Sequence, residues 1–457
     1  MLFYGNIVIK RDSSVALFNP ISYRREDVSR IYPLIKKIND KSKSGDSLDA
    51  EEQELLQYLK RKKQILPQDQ IEKIDSYLYE SKAYPNSISL ATSGISIDVT
   101  YQCNLLCEYC FQEKLRAQLG KYKMTFEHID RISSFIDWYS SNIEEISLPL
   151  KYVCISGGEP LLPDVQPIVH YIFSKFPESR FTLCTNGLYL TEFIESLKIS
   201  LDHFEMIQIS IDGILSDHLQ RSDLGNWVDG TDRYLKMIEA VYFLVCHDVP
   251  VRIATVVDKK TYKKVPQLIH FLEEKGILGR PNVTIAINPV FKQNEPLSID
   301  WSFNTPNDIL DMSRYFRKTI PNYANSFLPF KDIKTLSVLF KRPLDKYVPP
   351  EVRNCSLDGH TALTFTPDGN VHFCECQTPY KGVVGEYLTE FRFSKDIVRN
   401  IKSDSFFSYE KCRKCIYRYL CKGGCWRHRN VKSDERISPY CGIYGDEFVM
   451  DNIGEFI

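Results

Sequence analysis

The chain has 457 residues, 43% of them hydrophobic, and its 58 Lys and Arg nearly cancel its 59 Asp and Glu. That length predicts about two to four domains, and the charge balance excludes a general field steering the protein to nucleic acid or an acidic membrane. With no apolar run near the ~18 residues of a membrane span and no basic-then-apolar signal after Met1, the expected compartment is the cytoplasm, without membrane or nucleic-acid partners.

Residues 1–90 hold no cysteine and only Gly5 and Gly45 as glycines. Residues 3–10 alternate and are rich in branched side chains, so they read as a strand, with 14–19 placed to pair with it. Helical spacing follows over 25–39 and 48–65, and 68–82 reads as a third helix. Asp46 or Ser47 is placed to cap the second helix, with Glu51 and Glu52 in its first turn. The plain reading is a small helical cap on the domain that follows; the functional one is a peptide-docking module.

From Ile95 the texture changes. A strand over 95–99 leads into a cysteine-rich loop, and a helix follows over 126–139. Strands over 152–155, 180–184, 206–211, 251–257 and 282–288 then alternate with helices near 165–176, 231–246 and 262–275 and one more helix after 187. This alternation predicts a parallel sheet with helices between its strands. Gly157-Gly158-Glu159-Pro160, Thr185-Asn186-Gly187 and Asp212-Gly213 end successive strands, where open sheets and barrels bind ligands. Residues 290–350 are broken by Pro306, Pro321, Pro329 and Pro343 and read as a connector with one or two helices.

Eleven of the fourteen cysteines bunch into 103–110, 355–376 and 412–441. In a reducing compartment such clusters read as metal ligands before disulfides. Cys154, Cys184 and Cys246 stand apart in apolar segments and read as core residues. Cys103, Cys107 and Cys110, on a loop directly after a strand, let three sulfurs converge on one face of an iron–sulfur cluster and leave its fourth iron without a protein ligand. Zinc is the alternative, but a structural zinc site takes four ligands, and no fourth Cys or His lies nearby. Gly157 and Gly158 permit close backbone approach to a ligand, and Glu159 offers a carboxylate to a cation.

At these residues the chain resembles the radical S-adenosylmethionine (SAM) superfamily. The carriers are Cys103-x3-Cys107-x2-Cys110 with Tyr109 and Phe111, then Gly157 to Pro160, Thr185-Asn186-Gly187 and Ser210-Ile211-Asp212-Gly213. The resemblance implies a partial (β/α)6 barrel and an open iron that chelates the amino and carboxylate groups of SAM. It also implies that Glu159 contacts the SAM amino group, that Gly157 and Gly158 are cofactor-binding, that Ser210 and Asn186 serve the ribose and carboxylate, and that Arg221 pairs with the carboxylate. A plain turn cap for Asn186 and a surface charge for Arg221 stay open. An electron from the reduced cluster would cleave SAM to methionine and a 5′-deoxyadenosyl radical, which abstracts a substrate hydrogen.

Cys355, Gly369, Cys374, Cys412-x2-Cys415-x5-Cys421-x3-Cys425 and Cys441 resemble the SPASM extension of peptide-modifying radical SAM enzymes. Residues 365–373 read as a hairpin turning at Pro367-Asp368-Gly369. By family pattern one auxiliary [4Fe-4S] cluster takes Cys412, Cys415, Cys421 and Cys441, and the other takes Cys355, Cys374 and Cys425. Cys376 is a candidate fourth ligand of the second, an iron left open to substrate being the alternative. The expected class is therefore α/β. A small N-terminal α+β domain (1–90) precedes a radical SAM core (91–300), a connector (301–345) and a cysteine-rich SPASM domain (346–457).

Two activities compete on this reading. One is maturation of a ribosomally made precursor peptide by a side-chain crosslink, carbon–carbon, thioether or similar, with 1–90 docking a leader segment. The other is anaerobic sulfatase maturation, which oxidises Cys or Ser to formylglycine. Enzymes of that second group usually begin close to the cysteine loop and carry an Asp base after the cysteine matching Cys374; here that residue is Glu375, a carboxylate still able to act as a catalytic base. Either activity calls for a low-potential electron donor such as flavodoxin or ferredoxin. The non-enzyme alternative is a metal-stabilised binding scaffold.

Overall fold

The computed structural model describes residues 7–11, 14–19, 24–62, 64–66, 69–73, 76, 92, 94–110, 112–143, 149–222, 224, 227–290, 306–326, 363–373, 383–398 and 409–415. At the N-terminus, β1 (Ile7–Arg11), β2 (Ser14–Asn19) and β3 (Arg24–Asp27) form an antiparallel sheet with β2 in the middle. The expected helix from residue 25 instead begins at α1 (Tyr32–Ser44), with Pro in its first turn, because Arg24–Asp27 pairs with β2. Proline suits that turn, where its missing N–H would have no helical partner. Asp49, not Asp46 or Ser47, caps α2 (Ala50–Arg61), and Glu52 returns the bond to the Asp49 N–H at 2.9 Å. The buried Glu52 carboxylate also takes Lys37 at 2.9 Å and Lys41 at 2.7 Å, which fastens α1 to α2. Leu17, Val28, Ile35, Leu56, Leu59 and Ile65 form the small core between sheet and helices.

The second sheet is one continuous ten-stranded unit among the described residues. Six strands run parallel in chain order: β4 (Gly94–Asp98), β5 (Tyr152–Ser156), β6 (Arg180–Thr185), β7 (Phe204–Ser210), β8 (Val251–Val257) and β9 (Val283–Pro289). Between them lie α3 (Glu113–Leu119), α4 (Phe126–Asn142), α5 (Gln166–Lys175), α6 (Leu190–Ser196), α7 (Leu215–Arg221), α8 (Gly230–Cys246) and α9 (Val265–Glu274). A helix, α10 (Pro306–Thr319), stands in the expected connector. This is the parallel sheet that the alternation predicts, with the six strands of the partial (β/α)6 barrel that the resemblance implies. No helix among the described residues is long and apolar enough to cross a membrane.

Burial alternates along β5 and β6, so one face packs on helices while the other faces the barrel interior. Cys154 and Cys184 fall on the interior face and are half-buried, and Cys246 is exposed on α8. The reading of these three as core residues is therefore corrected. Cys184 Sγ accepts from Gln208 Nε2 at 3.7 Å on the neighbouring strand.

The C-terminal strands do not form a sheet of their own. Strand β10 (Leu363–Phe365) pairs in parallel with β4, and β11 (Asn370–His372), β12 (Val383–Glu386) and β13 (Arg392–Phe393) continue antiparallel beyond it. Gly369 turns the expected hairpin at φ 88°, a left-handed value suited to glycine. Helix α4 walls both parts: Phe135 meets Phe365 and Phe391 edge-on at 5.5 and 5.7 Å, and Arg131 Nε donates to the Tyr387 and Leu388 carbonyls. Phe135→Ala is expected to cost about 3–5 kcal/mol, read as a lower midpoint in denaturant unfolding.

Candidate active site

The site is built where β4, β5, β6 and β7 end. The parallel ladder of β4 and β5 runs on past both strands: Val99 N donates to Ser156 O at 3.0 Å, Gly158 N to Thr100 O at 2.7 Å and Glu159 N to Gln102 O at 2.8 Å. The Gly-Gly-Glu-Pro turn is thereby zipped to the root of the cysteine loop. Gly157 sits at φ 121°, and a Cβ there would lie 2.5 Å from the Thr100 carbonyl. At Gly158 a Cβ would lie 1.9 Å from the Gln102 carbonyl. Both glycines permit the close approach of this loop's own backbone.

Glu159 is 1% exposed. Its carboxylate accepts from Leu161 N at 2.9 Å, Thr185 Oγ1 at 2.6 Å and Asn186 N at 2.7 Å. Burial pushes its pKa up to about 7 against the pull of those donors. Glu159 thus holds the end of β6 in place. Asn186 in turn donates to Asn104 Oδ1 at 2.8 Å, and its own Oδ1 accepts from Leu188 N at 3.1 Å. It is both a turn cap and a clamp on the cysteine loop. Ser210 is half-buried at the end of β7. Arg221 ends α7, and its side chain lies outside the described residues.

Cys103, Cys107 and Cys110 are all half-buried. Burial, then the nearby Glu159 charge, pushes Cys103 up to about 11. Burial, then Asp212, pushes Cys107 up to about 12. Each also feels the charge of Cys110, so the three sulfurs share one neighbourhood. No three His, Cys, Asp or Glu among the described residues gather tightly enough to hold a single metal ion. Three neighbouring thiols fit an iron–sulfur cluster, whose thiolate ligands sit on separate irons. A cluster ligand must be a thiolate, so binding releases the protons of these raised thiols. Cluster uptake by the loop is expected to strengthen up to tenfold per pH unit for each neutral thiol between pH 7 and 9, measured as iron bound at limiting iron and sulfide.

Three side chains that fix the loop went unassigned in the sequence: Asn104 and Thr185 by the bonds above, and Arg116, whose Nη1 donates to the Leu105 carbonyl from α3. Arg116 stands six residues past Cys110, with no spacing signal to mark it. In the C-terminal array, Cys412 is buried in α11 (Glu410–Lys414), and its carbonyl accepts from Cys415 N at 3.1 Å. Cys415 packs against the barrel core. Cys355, Cys374, Glu375, Cys376, Cys421, Cys425 and Cys441 lie outside the described residues.

Residues 97–272 match the Radical SAM superfamily. The cysteine-type anaerobic sulfatase-maturating enzyme of Clostridium perfringens (strain 13) is 23% identical over 372 residues, covering 76% of this chain and 92% of that protein. The solved structure of native anSMEcpe with bound AdoMet overlays at a TM-score of 0.55 and 19% identity, covering 79% of this chain and 98% of its own. SuiB of Streptococcus suis, solved with its precursor peptide SuiA, overlays at 0.52 and 14% identity, covering 96% of this chain and 98% of its own. With a matching family model, six parallel strands and three thiols gathered beside the Gly-Gly-Glu-Pro turn, residues 97–272 form a radical SAM domain, and the protein is an enzyme that uses [4Fe-4S] chemistry and SAM.

Proposed function

We propose that the chain is a radical SAM peptide maturase that crosslinks side chains of a ribosomally made precursor peptide. When bound, the cluster and SAM supply a 5′-deoxyadenosyl radical that takes a hydrogen from the peptide. Cys103, Cys107 and Cys110 would hold that cluster. Glu159 would face the SAM amino group, and its raised pKa makes an ammonium partner favourable, since a nearby cation stabilises the ionised carboxylate. Asn186, Ser210 and Arg221 would serve the carboxylate and ribose.

The observation that carries this reading is the reach of the fold likeness. The SuiB complex accounts for 96% of this chain and the sulfatase-maturating structure for 79%. Continuity of β10–β13 with the barrel sheet adds support, because it joins Leu363–Phe365 to β4, the strand that leads into the cysteine loop. In that segment, Cys412, Cys415, Cys421 and Cys441 would hold one auxiliary cluster. Cys355, Cys374, Cys425 and, as a candidate, Cys376 would hold the other. Residues 1–90 would dock a leader peptide, by strand addition to their small sheet. A low-potential flavodoxin or ferredoxin would supply the electron in the cytoplasm.

The sulfatase-maturase relatives favour a second reading, formylglycine formation with Glu375 as base. The two separate by product mass. Reconstituted enzyme, SAM and reductant are incubated without oxygen with short peptides encoded beside the gene and with a sulfatase-derived peptide. Loss of a hydrogen pair with sulfur retained and no aldehyde trapped by a hydrazide is the expected result and marks a crosslink, whereas a trapped aldehyde at a serine counts as formylglycine. Loss of sulfur from a cysteine marks formylglycine and overturns the first reading. Peptides all unchanged, with active SAM cleavage, overturn both.

A further inference from the structure

Asp212 belongs to the Ser-Ile-Asp-Gly motif yet has no place in the assignments above. It is 7% exposed, directly beyond β7. One carboxylate oxygen accepts from Val256 N on β8 at 2.7 Å, and the other accepts the Tyr109 hydroxyl. Its own N–H donates to Nδ1 of buried His218 at 3.2 Å. The backbone on either side is fixed as well: Thr255 Oγ1 donates to Ile211 O at 2.8 Å and Tyr234 Oη to Gly213 O at 3.1 Å. Asp212 is thus a rigid acceptor held by β7, β8, α7 and α8.

Tyr109 lies between Cys107 and Cys110. The loop's first half is anchored on the β5–β6 side through Gln102 O and Asn104, and from α3 by Arg116 at the Leu105 carbonyl. Past that point the loop turns outward, with Leu106 66% exposed. The Tyr109–Asp212 bond ties the second half to the opposite side of the barrel mouth, at β7 and β8. We propose that Asp212 is a positioning residue for the Cys107–Cys110 half of the loop, acting through the Tyr109 hydroxyl and so setting how the loop-bound cluster meets SAM. This rests on the reading that the three cysteines hold the SAM-binding cluster.

The test uses the reconstituted full-length enzyme. Tyr109→Phe keeps the ring and removes the donor; Asp212→Asn keeps the size and removes the charge. A hydrogen bond to a charged group is worth enough to shift affinity roughly tenfold. Each variant is expected to keep its iron content, raise KM for SAM roughly tenfold and alter the SAM-induced change in the electron paramagnetic resonance spectrum of the reduced cluster. The double variant is expected to be no worse than either single one, because both remove the same bond. Wild-type KM and spectrum in Tyr109→Phe overturn the proposal, as do additive effects in the double variant. If Asp212→Asn fails to fold through loss of the Val256 contact, Tyr109→Phe alone decides. A SAM-dependent spectrum that survives Cys103, Cys107 and Cys110 all changed to Ala sinks the cluster reading, a result distinct from failure of the latch.

Discussion

Gly158→Ala is expected to abolish 5′-deoxyadenosine formation, although it adds a single methyl group. That carbon would stand 1.9 Å from the Gln102 carbonyl oxygen, less than a bonded distance from comfort and against backbone, which cannot rotate away as a side-chain tip can. Relief requires the turn after β5 to leave the loop after β4. The bonds from Gly158 N and Glu159 N to Thr100 O and Gln102 O then break. Gln102 directly precedes Cys103, so the first thiol moves with them. Glu159 moves too, and with it the bonds to Thr185 and Asn186. The variant is expected to lose about four irons per chain while the auxiliary clusters proposed for the C-terminal cysteines persist, measured by iron and sulfide assay beside product analysis. Iron content and SAM cleavage at wild-type levels would refute the zipped-turn argument.

Changing Cys103, Cys107 and Cys110 together to Ala is expected to take SAM cleavage to background while leaving the fold intact. The three side chains are half-buried at the mouth, so truncation opens no core cavity of the kind that unfolds proteins. Iron should fall from about twelve to about eight per chain, and the circular dichroism spectrum should hold. Retained 5′-deoxyadenosine production would remove this loop from the chemistry.

Much of this was legible in the sequence because barrel strands are short apolar runs, several of them ending at glycine motifs, as at 152–155 and 206–211. What escaped depended on partners distant in the chain. Strand β3 looks helical until β2 pairs with it, and α3 and α7 are only seven residues each. The interior placement of Cys154 and Cys184 was present as alternation in Tyr152–Ser156 and Arg180–Thr185, but runs of apolar residues read equally well as strands buried on both faces. The cysteine spacing named a ligand set. It gave no hint that Arg116, Asn104 and Tyr109 shape the loop, since those bonds depend on how the loop folds over the strand ends.

The pairing of β10 with β4 bears on how the molecule is made. Tyr101 and Asp368, which meet at this seam, are 267 residues apart in sequence. A ribosome releases the six barrel strands well before it releases Leu363. Until then β4 presents an open edge of unpaired N–H and C=O groups, the template on which nascent chains pair wrongly. The last fifth of the chain therefore covers the barrel's open edge during synthesis, and a barrel expressed without it carries a sticky border.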